Sequence, residues 1–389
     1  MLNVTVTSAA LRQGHWSGLF LLNDSTEMPF RFAINDSGFI FINGSERIVA
    51  SDIRYTPDSV IITMPVFDSE FRFRIGNDSL SGFFINNSRL HNKSIKASAQ
   101  VGNRIPLVND FELKDFSGRW SAVFAGDDPP LSVAVAEFSQ TGNHLFGTFL
   151  TPTGDYRFLE GYVTGSHSFY LSAFDGSHVF YFTATLDESD TLRGHYFSGT
   201  HWHDTWNAWK NKEASLPNPD SLSFLKDGFT KISFIFPDVD STLVSLDDSR
   251  FENKVTIVQI MGSWCPNCMD EVYFLVPYYE KNKTRGLEIV GLDFERSPDF
   301  YRAVPLIKKF SKQLNISYPV LFAGSSDRAI RSNALPQLKQ IVGFPTTIFI
   351  DKKGMVRKIH TGFNGPATGE HYESEKDAII KMIELLLNE

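Results

Sequence analysis

From Gly14 to Lys210 the sequence is a succession of short apolar–polar segments, each closed by turn residues. At Leu216-Pro217-Asn218-Pro219 that rhythm stops. This break constrains the fold most, because short alternating segments bury one face of a strand, whereas the longer periods beyond it bury one stripe of a helix. The turn signals include Asn23-Asp24, Asp36-Ser37-Gly38, Asn43-Gly44 and Gly76-Asn77-Asp78. Their residue types and spacing predict antiparallel hairpins. Phe71-Arg72-Phe73-Arg74 alternates apolar and charged, as a strand with one wet face should.

The strand-rich part divides into two halves that share landmarks in the same order. Gly14-His15-Trp16-Ser17 answers Gly118-Arg119-Trp120-Ser121, Phe67-Asp68-Ser69 answers Phe174-Asp175-Gly176, and Leu80-Ser81-Gly82 answers Leu192-Arg193-Gly194. The offset drifts slightly, as small loop insertions would make it. The expectation is a multidomain chain: two duplicated antiparallel β-barrel or sandwich modules, all-β, at residues 14–109 and 114–211, a linker at 212–230, and an α/β domain at 231–389. The chain has 35 Phe, a residue suited to a half-buried pleated face. The simplest use of these rings is to fill small barrels. The Gly-x-Trp that opens each half is similar to the start of lipocalin-type barrels. His201-Trp202-His203-Asp204 could present two imidazoles on one side of a strand, but no further ligands follow at metal-site spacing. Trp202, Trp206 and Trp209 are expected to close a barrel end or to pack on the next domain.

Composition narrows the function classes. A formal net charge of −8 argues against a nucleic-acid partner. No apolar run approaches the roughly 18 residues of a membrane span. The opening MLNVTVTSAA lacks the basic start and long apolar core of a signal peptide. With two cysteines there is no structural disulfide framework.

Beyond the linker, strand and helix patterns alternate. Lys231–Phe236, Thr242–Ser245, Val255–Ile260, Leu287–Leu292 and Tyr318–Phe322 read as strands. Asp299–Gln313, Ser326–Gln340 and Ser374–Leu387 read as helical. Both cysteines fall in Trp264-Cys265-Pro266-Asn267-Cys268, between a buried-type strand and a helical pattern. Proline is favoured at the first helical position, which puts Cys265 at the N-cap and Cys268 at the third helical residue. A thiol there has its pKa lowered by the helix start and is a nucleophile. Cysteine spacing alone leaves redox chemistry, metal binding and accident open.

The order of elements, the Trp264-Cys265-x-x-Cys268 motif, Glu271 three residues later and Phe344-Pro345-Thr346-Thr347-Ile348-Phe349-Ile350-Asp351 resemble the thioredoxin fold. They are similar to its TlpA-like and ResA-like thiol–disulfide oxidoreductases, related to the AhpC/TSA and redoxin families. The resemblance covers about residues 231–389. With its β-rich front half the chain is also similar to exported redox proteins of Bacteroidetes-type bacteria. The resemblance implies that Cys265 is the nucleophile, Cys268 the resolving thiol, Glu271 a proton carrier for it, and Pro345 a cis proline against the pair. Trp264, Pro266, Phe344 and Thr346 would line the substrate surface. Glu271 also has a bland reading, a carboxylate placed where the helix dipole favours it. Gln259 stands where thioredoxin carries a buried Asp, and Tyr273 where the family often has Pro, so any kink moves to Pro277.

No cofactor is implied beyond the Cys265–Cys268 pair. The implied partners are protein disulfides or dithiols and a thiol redox partner, with no nucleic acid. The implied location is the bacterial periplasm, or a membrane anchor facing it; the chain begins abruptly before its first strand, as if an export signal or lipoprotein anchor were absent. Two rivals are weaker. A peroxiredoxin-type peroxidase wants Pro-x-x-x-Thr-x-x-Cys, which neither cysteine has. A binding protein whose β-modules recruit a partner, with a secondary redox domain, sits poorly with intact Cys265, Cys268 and Pro345.

Overall fold

The computed structural model describes residues 11–103, 113–126 and 128–389. The opening decapeptide, the end of the first expected module at 104–109, and Asp127 lie outside the described residues. The chain divides into two compact units. One holds the described residues of Met1–Asp127 with Ala136–Thr148 and Tyr156–Ala214; the other holds Asp128–Val135, Phe149–Asp155 and Ser215–Glu389.

The first half forms one nine-stranded antiparallel sheet: β1 (Gly14–Leu21), β2 (Glu27–Asn35), β3 (Gly38–Asn43), β4 (Glu46–Ala50), β5 (Asp52–Tyr55), β6 (Ser59–Thr63), β7 (Ser69–Gly76), β8 (Ser79–Asn86) and β9 (Ser94–Val101). Their order is β4-β3-β2-β1-β9-β8-β7-β6-β5, and Ser51 alone joins the two end strands. Alternation sets the faces: Met28, Phe30, Phe32 and Ile34 of β2 point inward, with the residues between them less buried. Asn35 Oδ1 accepts from the Ser37 N–H at 2.8 Å, and Gly38 at φ 114° completes the β2–β3 turn. That angle is one that glycine adopts without a steric penalty.

The second half contains β10 (Gly118–Phe124), β11 (Val133–Thr141), β12 (His144–Thr151), β13 (Gly154–Asp155), β14 (Leu159–Val163), β15 (Ser168–Phe174), β16 (Val179–Leu186), β17 (Thr191–Ser198) and β18 (Trp202–Lys210). Pairing runs β11-β10-β18-β17-β16-β15-β14-β12, and β12 also pairs with β11, which closes an eight-stranded barrel. Closure leaves no edge for another chain to extend. In the core of the first sheet, Phe174 meets Phe20, Phe71 and Phe84 at 5.4, 5.4 and 5.1 Å between ring centroids. The aromatic excess is therefore spent on filling. Trp206 is fully buried, whereas Trp202 and Trp209 are exposed. His203 pairs with His195 on the neighbouring strand at 3.1 Å. Among the described residues no group of three or more His, Cys, Asp or Glu is placed to hold a metal.

After β19 (Ile235–Pro237) and β20 (Leu243–Ser245), a small hairpin, comes a five-stranded sheet: β21 (Val255–Met261), β22 (Leu287–Glu295), β23 (Val320–Ser325), β24 (Thr346–Ile350) and β25 (Val356–Thr361). Its order is β23-β22-β21-β24-β25. β21, β22 and β23 are parallel, and β24 runs against β21. The helices are α1 (Pro266–Asn282), α2 (Phe300–Gln313), α3 (Arg328–Ala334) and α4 (Glu370–Asn388). This is a thioredoxin-like α/β arrangement. Val255, Ile257, Leu275, Ile289, Ile307, Phe349, Ile379 and Ile383 form its core. α3 is shorter than the predicted Ser326–Gln340, because Pro336 drives Leu335 out of the helical region, to φ −125° and ψ 79°. α1 continues through Pro277 as a single helix. Among the described residues no helix is long and apolar enough to cross a membrane.

Candidate active site

Every residue of β21 is buried, so the central strand delivers the chain to the sheet's end along one path. There Cys265 caps α1 with extended backbone, φ −99° and ψ 115°, and Pro266 takes the first helical position. The Cys268 N–H donates to Cys265 Sγ at 3.2 Å. That contact places the sulfur where the helix dipole and free N–H groups stabilise negative charge. Cys265 and Cys268 are joined in a disulfide, with Cα atoms 5.3 Å apart. Cys265 is 5% exposed and Cys268 fully buried, an asymmetry in which only the first sulfur can meet another molecule.

Trp264 donates from Nε1 to the Phe294 carbonyl at 3.0 Å and meets Phe344 edge to face at 5.6 Å. A side chain at Gly262 would lie 2.5 Å from Trp264 Nε1, so glycine is what lets the indole fold back. Two guanidiniums lie over this aromatic wall, Arg296 at 4.4 Å from the Trp264 ring and Arg331 at 5.3 Å from that of Phe344. The Phe344–Pro345 bond is cis. Its loop is held by the Gly362 N–H donating to the Pro345 carbonyl at 2.8 Å and by the Thr346 hydroxyl donating to the Gly343 carbonyl at 2.9 Å. The structure thus brings Trp264, Cys265, Pro266, Cys268, Phe344 and Pro345 to one end of the sheet. Thr346 is buried behind them.

Glu271 lies beneath the pair, one helical turn past Cys268 and fully buried. It accepts from Gln259 Nε2 at 2.6 Å and from the Thr347 hydroxyl, while Gln259 accepts from the Tyr318 hydroxyl at 3.3 Å. Burial pushes the Glu271 carboxyl up to about 7, against the two hydrogen bonds, which favour the anion. The glutamine at position 259 cannot titrate, but it fixes the group that does.

Two further groups were not singled out from sequence. Asp293 and Glu295 form a buried carboxyl pair on β22, and Glu295 accepts from the Ser263 hydroxyl, two residues before Cys265. Burial first, and then the neighbouring Glu295, drives Asp293 well above the usual carboxylate range. The acidic alternation Asp293-Phe294-Glu295 reads as a strand ending at Leu292, whereas β22 runs on to Glu295. His360 lies between Asp220 Oδ1 at 2.7 Å and Glu375 Oε1 at 2.9 Å. Burial lowers its pKa, but the two carboxylates outweigh burial and lift it to about 9.

The Redoxin family profile matches residues 226–377. The thiol-disulfide oxidoreductase ResA of Bacillus thuringiensis subsp. konkukian is 26% identical over 141 residues, 36% of this chain and 71% of that protein. The ResA of Bacillus subtilis is 24% identical over 138 residues, 36% of this chain and 69% of that protein. A thioredoxin-family thiol:disulfide interchange protein from Chlorobium tepidum aligns at 23% identity with a TM-score of 0.32, over 42% of this chain and 99% of its own. Residues 226–377 thus match the Redoxin family and are similar to ResA thiol-disulfide oxidoreductases, and the chain is a thiol–disulfide oxidoreductase.

Proposed function

We propose that the chain reduces disulfides on protein substrates through Trp264-Cys265-Pro266-Asn267-Cys268. The observation that carries this reading is the asymmetric pair, one sulfur at a helix N-terminus and slightly exposed, the other fully buried one helical turn before Glu271. In the dithiol state the Cys265 thiolate attacks one sulfur of the substrate disulfide. A mixed disulfide forms and the other substrate sulfur leaves as a thiolate. Cys268 passes its proton to Glu271 and attacks Cys265 Sγ, which expels the second substrate thiolate. Two electrons have then moved to the substrate, and the pair is left as the disulfide seen here. A carboxyl poised near 7 can take and return that proton at neutral pH. Pro345, Phe344, Trp264 and Pro266 shape the surface on which substrate lies, whereas Thr346, expected on that surface, is fully buried and braces the loop through its bond to Gly343.

On this reading the electrons pass through the two sulfurs alone, with no cofactor, and Glu271 handles the proton. An external dithiol partner must reduce the pair again, and the likeness to ResA, a thiol-disulfide oxidoreductase, supports exchange chemistry on disulfides; the bacterial periplasm is the compartment in which we place it. Insulin-disulfide reduction with dithiothreitol tests the reading. Activity is expected in the native chain and lost in Cys265→Ser; activity that persists in that variant overturns it. A cavity of about 330 Å³ in the first unit, lined by Ser17, Arg31, Ser81, Tyr162 and Tyr170, favours an added binding role for the β-rich half.

A further inference from the structure

The second unit contains a short segment remote in sequence from the cysteines. Thr151 and Gly154 pair across the β12–β13 turn, which makes Thr151–Asp155 a hairpin tip. The tip is internally braced: the Thr151 hydroxyl donates to the Gly154 carbonyl at 2.9 Å. It lies against three pieces of the thiol site. With its amide oriented so that both atoms find a partner, Asn267, between the two cysteines, donates to the Asp155 carbonyl and accepts from the Asp155 N–H, each at 3.2 Å. Asp155 Oδ1 accepts from the Gly365 N–H at 3.0 Å. On the far side, a Cβ at Gly343 would lie 2.3 Å from Thr153 Cγ2, and one at Gly362 would lie 2.8 Å from the Pro152 carbonyl oxygen. Gly343 is two residues before Pro345, and Gly362 hydrogen-bonds to Pro345. The tip therefore occupies the flank of the cis-proline loop, in a seat that only glycines leave open.

We propose that Thr151–Asp155 is a specificity element of this site. It fills one side of the surface where a substrate chain would lie. The remaining approach to Cys265 runs past Trp264 and Phe344, so the site favours disulfides on small molecules or short extended segments over those carried on folded domains. The 5% exposure of Cys265 fits this restriction, because a folded partner must bring a rigid surface to a recessed sulfur. The inference rests on Cys265 being the nucleophile.

The test compares two reduction rates in the full chain, that of insulin and that of oxidised glutathione, in Asp155→Ala, Gly343→Ala and Asp155→Asn. Asp155→Ala removes the bond to Gly365 and Gly343→Ala closes the seat, two independent ways of releasing the tip. Loss of one such hydrogen bond is expected to raise the insulin-to-glutathione rate ratio about fivefold. Asp155→Asn keeps an acceptor oxygen and should hold the native ratio. A ratio within about twofold of the native value in both Asp155→Ala and Gly343→Ala overturns the proposal. Failure of the underlying reading looks different: in that case both substrates are still reduced by Cys265→Ser.

Discussion

Glu271→Gln separates a working proton carrier from a carboxylate placed only for the helix dipole. The substitution keeps the shape of the side chain and removes its charge. With its oxygen toward Gln259 Nε2 the new amide keeps that bond and leaves the Tyr318 hydroxyl on Gln259, while its NH₂ group faces the Thr347 hydroxyl oxygen. What remains is the proton. With the folded pKa raised from 4.5 to about 7, Glu271 contributes its full stability below 4.5 and loses it as pH rises through about 7. At 1.36 kcal/mol per pH unit the loss is about 3 kcal/mol. The oxidised protein is the one to measure, because its cysteines do not titrate. Trp264 is the one tryptophan of the second unit, so fluorine NMR of 5-fluorotryptophan protein follows that unit's urea unfolding directly. Between about pH 4 and pH 8 the native chain should lose about 3 kcal/mol relative to Glu271→Gln. Parallel stabilities across that range would refute the argument, since they would mean that Glu271 titrates alike folded and unfolded. In the reduced protein, an unchanged pH profile of thiol alkylation in Glu271→Gln would remove its catalytic role.

Two other outcomes follow from buried groups. His360, raised to about 9, stabilises the fold fully below its ordinary 6.5, and that contribution fades as pH rises through about 9. The melting temperature of Glu375→Gln should therefore lie below that of the native chain near pH 6, and the two should converge at about pH 10; a constant gap would count against the pair. Phe174→Ala empties the centre of the ring cluster around Phe20, Phe71 and Phe84. It should cost the first unit about 3–5 kcal/mol, read from the Trp16 fluorine resonance in urea. A larger shift at Trp264 than at Trp16 would contradict that assignment.

Much of the site was legible because it is local. Pro266 at the first helical position, the buried run before it and the polar stretch after it place Cys265 at the N-cap without reference to the rest of the chain. Strand rhythm likewise read through, since a pleat records burial every second residue; β2 and β9 show it cleanly. Boundaries were less legible where tertiary contacts override a pattern. β22 extends through Asp293 and Glu295 because its neighbours β21 and β23 bury it on both sides, which composition alone argues against. α4 begins at Glu370, a turn before the predicted Ser374, because Gly369 at φ 58° turns the chain there.

Neighbouring residues alone specify the strand-rich front, the α/β back and a thiol pair at a helix start, since each depends on periodicity and on local preferences. Tertiary structure alone decided what surrounds that pair. Burial between Gln259 and Thr347 turned Glu271 from an acid like any other into one poised near neutrality. The seating of Thr151–Asp155 against Asn267, Gly343 and Gly365 depends on residues more than a hundred positions away. Desolvation and long-range contact belong to the assembled fold, and neither leaves a periodic trace in the chain.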